Sequence, residues 1–273
     1  MFHSRRDACF ASYYNAACRI YTTGCCPTNV IVVTGSSLLR RNLTGLVRNN
    51  EDCSYHKNAG KPSGVYMIYP EVIPNGISVY CDMDTDQGGW TTIQQRRDGS
   101  VDFYRTWNEY KNGFGNISGD YWLGNENIYL LTRDNSYLLR IDVADKTGVR
   151  RKALYYSFKI DNEPNNYKLA IGEYCEIPDG VVNIGDDGVY GMMSSNNVVF
   201  DTRDRGIVKS WGNQPCADQH NAGWWFKKCT NVNLNGMWSP GLSDSSPSGK
   251  LMFWYSFKYY EGLAMSSMKI RRK

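Results

Sequence analysis

The residues with the most distinctive chemistry in this sequence are its nine cysteines. No two are spaced as Cys-x-x-Cys and the chain has three histidines, so zinc-ribbon and zinc-finger spacings are missing. Scattered cysteines without a metal motif are typical of disulfides in an oxidising compartment. The odd number leaves at least one thiol free or bonded to another chain. The nine positions are Cys9, Cys18, Cys25, Cys26, Cys53, Cys81, Cys175, Cys216 and Cys229.

Carboxylates close in sequence are the next candidates, because paired acids can perform acid–base chemistry or hold a cation. Asp186-Asp187, and Asp82 with Asp84, lie in turn-like contexts with no base or nucleophile beside them. The chain has no His-Glu-x-x-His motif, no Gly-x-Ser-x-Gly elbow and no phosphate-binding Gly loop. We therefore expect a protein that is not an enzyme.

Two Asn-x-Ser/Thr triplets predict glycosylation at Asn42 and Asn116, which agrees with secretion. The polar and basic start, MFHSRRDACF, lacks the apolar core of a signal peptide. We interpret it as a mature or engineered N-terminus, or as the start of a chain without a leader. No run of about 18 apolar residues is present, so no membrane span is expected.

The composition is typical of a folded globular protein, and its net charge does not predict a strongly charged partner. The 273 residues are 41% hydrophobic and 21% charged, enough to bury a core. The net charge of +4 is too small to predict nucleic-acid binding, and we interpret the basic Lys269–Lys273 as a fraying tail. Aromatic residues reach 14%, and their rings suit both cores and binding surfaces.

From about residue 52, short runs rich in β-formers alternate with Gly, Asn and Asp turns. A short helix is predicted at Asn125–Thr132, and no βαβ rhythm is present, so a doubly wound sheet is not expected. The predicted strands are Gly64–Tyr69, Ile77–Cys81, Trp90–Gln94, Tyr137–Val143 and Tyr155–Ile160.

Two regions lack this alternation. Residues 1–50 contain four cysteines and the β-like run Asn29–Thr34, and are interpreted either as an extension that cross-links subunits or as a poorly ordered tail. Residues 176–252 have little helical or strand periodicity, which is typical of functional loops that cross-links hold in place. Cys216 and Cys229 are close enough in sequence to staple such a loop, which would contribute about 3 kcal/mol.

Ordered strings over residues 51–273 resemble the fibrinogen-related domain family, which includes ficolins, tachylectins, angiopoietin-type ligands, tenascins and fibrinogen. The resemblance implies an α+β fibrinogen C-terminal-like globe, with a twisted antiparallel sheet, short helices and a loop-rich C-terminal part. The strings are Gly64-Val-Tyr66, Val79-Tyr-Cys-Asp-Met83, Gly88-Gly-Trp90, Gln95-Arg-Arg-Asp-Gly99, Tyr121-Trp-Leu-Gly-Asn125, Gly223-Trp-Trp-Phe226, Asn233-Leu-Asn-Gly236 and Met268-Lys-Ile-Arg271.

The resemblance also implies two disulfides, Cys53–Cys81 and Cys216–Cys229. Cys175 then stands outside the family pattern, and is either free or paired with the N-terminal segment.

A calcium loop is the first site that the resemblance implies. Calcium needs several oxygen ligands, yet the two ligand carboxylates fall here on Gly206 and Val208. We expect that no cofactor is bound and that this calcium site is lost or badly weakened, unless Asp201 and Asp204 rescue it by rearrangement.

The second implied site is an acetyl-binding pocket in the lectin-type members, with an aromatic wall, a cis peptide and a histidine. Here the cis peptide would be Lys228-Cys229, and Thr230 replaces the histidine. Phe253 keeps the wall without a hydroxyl, and whether the cis bond survives stays open. The predicted ligand-binding residues are His220, Trp225, Phe226, Lys228, Cys229, Thr230 and Phe253.

Two functions follow as hypotheses. The first is a secreted, innate-immune lectin for acetylated or acidic glycans, because His220, Lys227 and Lys228 would make the pocket rim basic. The second is a ligand of a receptor or matrix protein, of the angiopoietin or tenascin type. We expect a homo-oligomer that binds glycans or a cell-surface glycoprotein, without nucleic acid or membrane insertion.

Overall fold

A computed structural model describes residues 50–134, 136–176, 179–243 and 249–273, and the backbone of 8–10 and 19–21. The chain divides into two compact units, Met1–Val47 and Arg48–Lys273, which are described separately. In the first unit, β1 (Ala8–Phe10) pairs antiparallel with β2 (Arg19–Tyr21). The run Asn29–Thr34 and the sequon at Asn42 lie outside the described residues.

Most of the regular structure of the second unit is strand. Its strands are β3 (Gly64–Ile68), β4 (Ile77–Asp82), β5 (Trp90–Arg96), β6 (Phe114–Gly115), β7 (Tyr121–Trp122), β8 (Tyr137–Ala144), β9 (Arg150–Ile160), β10 (Leu169–Ile171), β11 (Tyr174–Cys175), β12 (Val232–Asn233), β13 (Phe253–Trp254) and β14 (Met265–Arg272). Its helices are α1 (Cys53–Asn58), α2 (Trp107–Asn112), α3 (Asn125–Thr132), α4 (Cys216–Gln219) and α5 (Tyr255–Lys258), with two 3-10 turns at Glu163–Asn165 and Met192–Ser195.

One antiparallel sheet organises this unit, with strand order β10-β9-β8-β14-β5-β4-β3. The predicted strands coincide with β3, β4, β5, β8 and β9, although β9 begins at Arg150, five residues before its predicted start. The predicted helix Asn125–Thr132 is α3, with the bounds expected from the sequence. The α+β fold class is therefore confirmed.

The expectation of a fraying basic tail at Lys269–Lys273 is wrong. β14 lies in the centre of the sheet between β5 and β8, and Lys269 is 5% exposed. Its ammonium lies 2.7 Å from Asp82 and 2.9 Å from Asp142. These two carboxylates offset the cost of burying the charge, which is why a basic segment can form a central strand.

The Lys269 pairs are part of an ion-pair ladder that crosses β4, β14, β8 and β9. Each member contacts an opposite charge, and Asp179 joins the ladder from the loop that follows β11. Its six members, in order, are Asp82, Lys269, Asp142, Arg140, Asp179 and Lys152.

An aromatic core connects the sheet side of the unit to the irregular segment that begins at about residue 200. The Phe200 ring lies 5.1 Å from the ring centroids of both Tyr110 and Trp225. Gly223 packs directly on Tyr110, where a Cβ would overlap the ring. The sequence string Gly223-Trp-Trp-Phe226 therefore marks a close backbone approach between large rings.

Candidate functional site

The irregular segment is organised by the Cys216–Cys229 disulfide, which, like Cys53–Cys81, is present as the resemblance implies. Before it, residues 208–216 form a small hairpin, closed by hydrogen bonds from Cys216 N–H to Val208 O and from Ser210 N–H to Gln214 O, both 2.9 Å. After it, a tight turn places Lys227 N–H 2.7 Å from Cys229 O. The disulfide thus joins the base of the 208–216 hairpin to the turn at 227–230.

A groove of about 950 Å³ lies between the hairpin and the turn. Its described lining contains two lysines and a histidine but no aspartate or glutamate, so its charge is positive. The lining residues are Gly188, Val189, Ser194, Ser210, Trp211, Gly212, Gln214, Gln219, His220, Lys227, Lys228, Cys229, Thr230, Asn231 and Tyr260.

Four of the seven predicted ligand-binding residues line this groove, namely His220, Lys228, Cys229 and Thr230. The other three, Trp225, Phe226 and Phe253, are fully buried and lie outside its lining.

Buried rings pack on the groove residue His220. His220 is 2% exposed and stacks on Phe226 with ring centroids 5.5 Å apart. Its Nδ1 lies 2.9 Å from Gly249 O, so this nitrogen is engaged within the protein. Trp225 donates its indole N–H to Tyr167 O at 2.9 Å, as a core residue does.

The turn at 227–230 has an unusual backbone. The Lys228–Cys229 peptide is trans, which settles the alternative that the sequence leaves open, and φ is 50° at Lys228 and 75° at Cys229. Two successive non-glycine residues at positive φ are held there by the disulfide and the turn hydrogen bond, at some conformational cost. The backbone N–H groups of Lys228, Cys229 and Thr230 donate to no acceptor among the described residues.

Trp211 is the groove residue that sequence reasoning misses. It is 84% exposed at the tip of the 208–216 hairpin, and the Lys228 ammonium lies 3.7 Å from its ring centroid. This distance is within the range of a cation–π contact. Its sequence signal is a lone tryptophan within the polar run Lys209-Ser-Trp-Gly-Asn-Gln214.

The implied calcium loop is closed by protein hydrogen bonds. Asp201 is fully buried, and its carboxylate accepts from Thr202 N–H at 2.9 Å and Val208 N–H at 2.8 Å. Burial raises the pKa of Asp201 above its ordinary value. Asp204 accepts from Trp107 N–H at 2.8 Å and from the Thr202 hydroxyl at 2.7 Å.

These contacts engage both carboxylate oxygens of Asp201, and Oδ1 of Asp204, within the protein. Gly206 and Val208 supply no side-chain oxygen, and no group of three or more His, Cys, Asp or Glu side chains in the described chain could hold a metal. The residues present therefore do not fit a calcium ion.

Two further predicted features lie away from the groove. Asn116 and Ser118 of the second sequon are exposed in the turn between β6 and β7, and glycosylation there stays a prediction. Cys175 is 2% exposed on β11, with its thiol 3.6 Å from Glu173 O.

Comparison with known sequences places this architecture among characterised proteins. The family model described as "Fibrinogen beta and gamma chains, C-terminal globular domain" matches residues 49–273. Fibrinogen-like protein 1 of Homo sapiens is 41% identical over 233 residues, covering 83% of this chain and 73% of that protein. Its counterpart in Bos taurus is 42% identical over 222 residues, covering 77% and 70%.

Solved structures agree with the sequence matches. The fibrinogen-like globe domain of human ANGPTL2 superposes with a TM-score of 0.73 at 38% identity, covering 81% of this chain and 98% of that domain. A lamprey fibrin D-dimer, complexed with the peptide ligand Gly-His-Arg-Pro-amide, superposes with a TM-score of 0.69 at 32% identity, covering 81% and 72%.

Proposed function

Since this chain belongs to the family of fibrinogen C-terminal globular domains, we propose that it is a secreted recognition protein whose groove binds an acidic segment of a partner protein. Proteins of this fibrinogen-like family are generally non-enzymatic. The two disulfides fit an extracellular location. Within the described residues, no helix has the length and apolar character to span a membrane.

The observation that carries this proposal is the charge of the groove. Its described lining has no carboxylate, while Lys227 and Lys228 are both exposed along it. Their two ammonium groups supply charged hydrogen-bond donors. Carboxylates that meet such donors form charge-assisted hydrogen bonds, which are stronger than neutral ones.

Trp211 supports a protein ligand. Exposed tryptophan at the rim of a pocket is the residue type most enriched among energetically dominant interface contacts. The short hairpin and the disulfide hold it in place, so little conformational entropy is lost when a partner packs on it.

At the positions that the resemblance assigns to an acetyl-binding pocket, the polar groups are engaged within the protein or missing. The Thr230 hydroxyl donates to Val232 O at 2.7 Å, and His220 Nδ1 is engaged with Gly249 O. Phe253 is buried and has no hydroxyl. One observation still supports the lectin hypothesis. The Lys228–Trp211 pair could stack on a sugar ring while it binds the acidic group of that sugar.

The test is a selection of phage-displayed random dodecapeptides on the immobilised intact protein, run in parallel with a glycan array. We expect the selected peptides to be enriched in Asp and Glu, and to bind about ten to a hundred times more weakly to the Lys227→Glu, Lys228→Glu double variant. Lys159→Glu, an exposed lysine on β9, is the matched control and should leave binding unchanged.

The alternatives have distinct outcomes. Binding of acidic glycans without enrichment of acidic peptides would overturn the protein-ligand proposal in favour of the lectin. Equal binding of acidic peptides to the wild-type protein and the double variant would show that the groove is not the site.

A further inference from the structure

A row of three tyrosine rings lies beside the groove, with its two outer rings exposed and the central Tyr255 half-buried. Tyr190 stacks on Tyr255 with ring centroids 5.3 Å apart, and Tyr255 contacts Tyr259 at 5.1 Å. Tyr190 is 46% exposed and Tyr259 is 69% exposed. We call this set the tyrosine row. Contiguous exposed aromatic rings are uncommon on a monomeric surface and mark interaction sites.

The tyrosine row is continuous with the groove. Val189, which precedes Tyr190, lines the groove and is 54% exposed. Tyr260 also lines the groove, and its ring lies 5.4 Å from Tyr255. A ligand that fills the groove and extends past Val189 or Tyr260 therefore reaches the row.

Local hydrogen bonds fix the segment that carries Tyr190. The Asp187 carboxylate accepts from the N–H groups of Val189 and Tyr190, both at 2.9 Å. From the other side of the groove, the Asn231 amide donates to Val189 O at 2.6 Å. The row is thus presented on a constrained backbone, and its rings need little ordering when they bind.

We propose that the tyrosine row and the groove form one composite surface, which binds an extended protein segment carrying both carboxylates and an aromatic or large apolar side chain. This inference rests on the proposed function of the groove. The carboxylates meet Lys227 and Lys228, and the apolar side chain packs on Tyr190 and Tyr259. Charge complementarity with the acid-free groove selects an acidic partner segment rather than a second copy of this domain, because residues 48–273 carry no net charge.

Four matched fluorescein-labelled decapeptides test the proposal by fluorescence anisotropy on the intact protein. They alternate Asp with Tyr, Asp with Ser, Ser with Tyr, and Lys with Tyr. We expect the Asp/Tyr peptide to bind about tenfold or more tighter than the Asp/Ser peptide, since burying one aromatic side chain is worth about that much. The Ser/Tyr and Lys/Tyr peptides should bind far more weakly than both.

Variants separate this inference from the groove proposal. Tyr259→Ser should remove the Asp/Tyr advantage over Asp/Ser while leaving Asp/Ser binding unchanged, and Tyr190→Ser is a second probe of the row. Tyr55→Ser, at an exposed tyrosine on α1, is the matched control. Lys228→Glu should weaken both acidic peptides.

Each outcome is decisive for one of the two proposals. If Lys228→Glu weakens both acidic peptides but Tyr259→Ser preserves the Asp/Tyr advantage, the groove proposal stands and the composite surface is wrong. If Tyr259→Ser instead lowers the mass of the protein measured by light scattering and leaves peptide binding unchanged, the row binds a second copy, which also overturns the inference.

Discussion

Asp201 closes the 200–208 loop, the segment that the family resemblance assigns to a calcium site. Its buried carboxylate ties the start of the 200–208 loop to Val208 N–H, the position where the family pattern would have a metal ligand. Asp201→Ala should lower the free energy of unfolding by about 2 kcal/mol, because the buried N–H of Thr202 and the partly buried N–H of Val208 lose their acceptor. Urea unfolding measures this difference.

The control is Asp187→Ala, which removes a carboxylate with the same two-donor pattern from an exposed turn. Water can replace that acceptor, so the cost should stay below about 1 kcal/mol. Because the 200–208 loop is closed without a metal, we also expect the thermal midpoint to be the same in millimolar calcium and in chelator. A calcium-dependent rise that Asp201→Ala abolishes would contradict this account.

At the residue scale, prediction from sequence is sharpest where one residue type decides the chemistry. Gly206 and Val208 supply no side-chain oxygen whatever the surrounding fold, and the loss of the calcium site stays a prediction. Whether a side chain faces a pocket or the core is harder to predict. Phe253 and Trp225 suit both environments equally, and packing places both in the core. Trp211 is missed because its exposure depends on a hairpin that sequence periodicity does not reveal.

At the element scale, the ion-pair ladder gives the sheet a pH dependence. Burial alone would raise the pKa of Asp82, but the charge of Lys269 and hydrogen bonds from Lys269 and Thr85 outweigh it and lower the pKa to about 2. Asp179 has a pKa of about 2 for the same kind of reason, since hydrogen bonds from Lys152 and Arg140 outweigh its burial.

A carboxyl whose pKa is lower in the folded than in the unfolded chain stabilises the fold above its unfolded pKa. For Asp82 that contribution is about 2 kcal/mol, present above about pH 4 and lost as the pH falls towards 2. Asp82→Asn should therefore be less stable at pH 7, and its stability should fall less steeply between pH 4 and 2. Urea unfolding across this pH range measures both effects.

Asp134→Asn is the matched control, because the Asp134 side chain is 69% exposed and its pair with Arg133 is open to solvent. It should leave the pH profile of stability unchanged. An Asp82→Asn profile that ran parallel to the wild-type profile would show that the ladder does not set the acid response.

The ion-pair ladder also explains why some strands are predicted from the sequence and others are missed. β5 and β8 are rich in β-forming residues and are found, whereas β14 is basic and becomes a strand through partners on β4 and β8 that are distant in sequence. The start of β9 at Arg150 is missed for the same reason, because Lys152 is buried against Asp179. Helix α2 begins with a Thr106–Glu109 capping box, a local signal that could have been detected.

At the scale of the whole molecule, charge and cysteines are unevenly distributed. Residues 1–47 contain five arginines and one aspartate, a net charge of +4 that equals the net charge of the chain. The same segment has four of the nine cysteines. The neutral second unit contains the groove, so binding and the proposed cross-linking are assigned to different parts of the chain.

The vicinal cysteines Cys25 and Cys26 do not favour a disulfide with each other, and bonds to another chain are one way to satisfy them. Adjacent Cα atoms are about 3.8 Å apart, closer than the usual disulfide range, so each cysteine is better matched to a partner elsewhere. Joining chains would also strengthen weak groove contacts, since a second site then binds at a high effective concentration. We therefore expect the intact protein to run as a covalent dimer or larger species in non-reducing electrophoresis, and as a monomer after reduction.

The Cys25→Ser, Cys26→Ser double variant should shift that species towards monomer, while Cys175→Ser, a buried position in the second unit, should not. The variant should also bind an acidic peptide immobilised at high density about a hundredfold more weakly, with unchanged affinity for the same peptide free in solution. Weaker binding to the immobilised peptide alone would show that avidity is lost while the groove is intact. A wild-type protein that runs entirely as monomer without reductant would exclude covalent assembly, leaving the four N-terminal cysteines to pair within one chain.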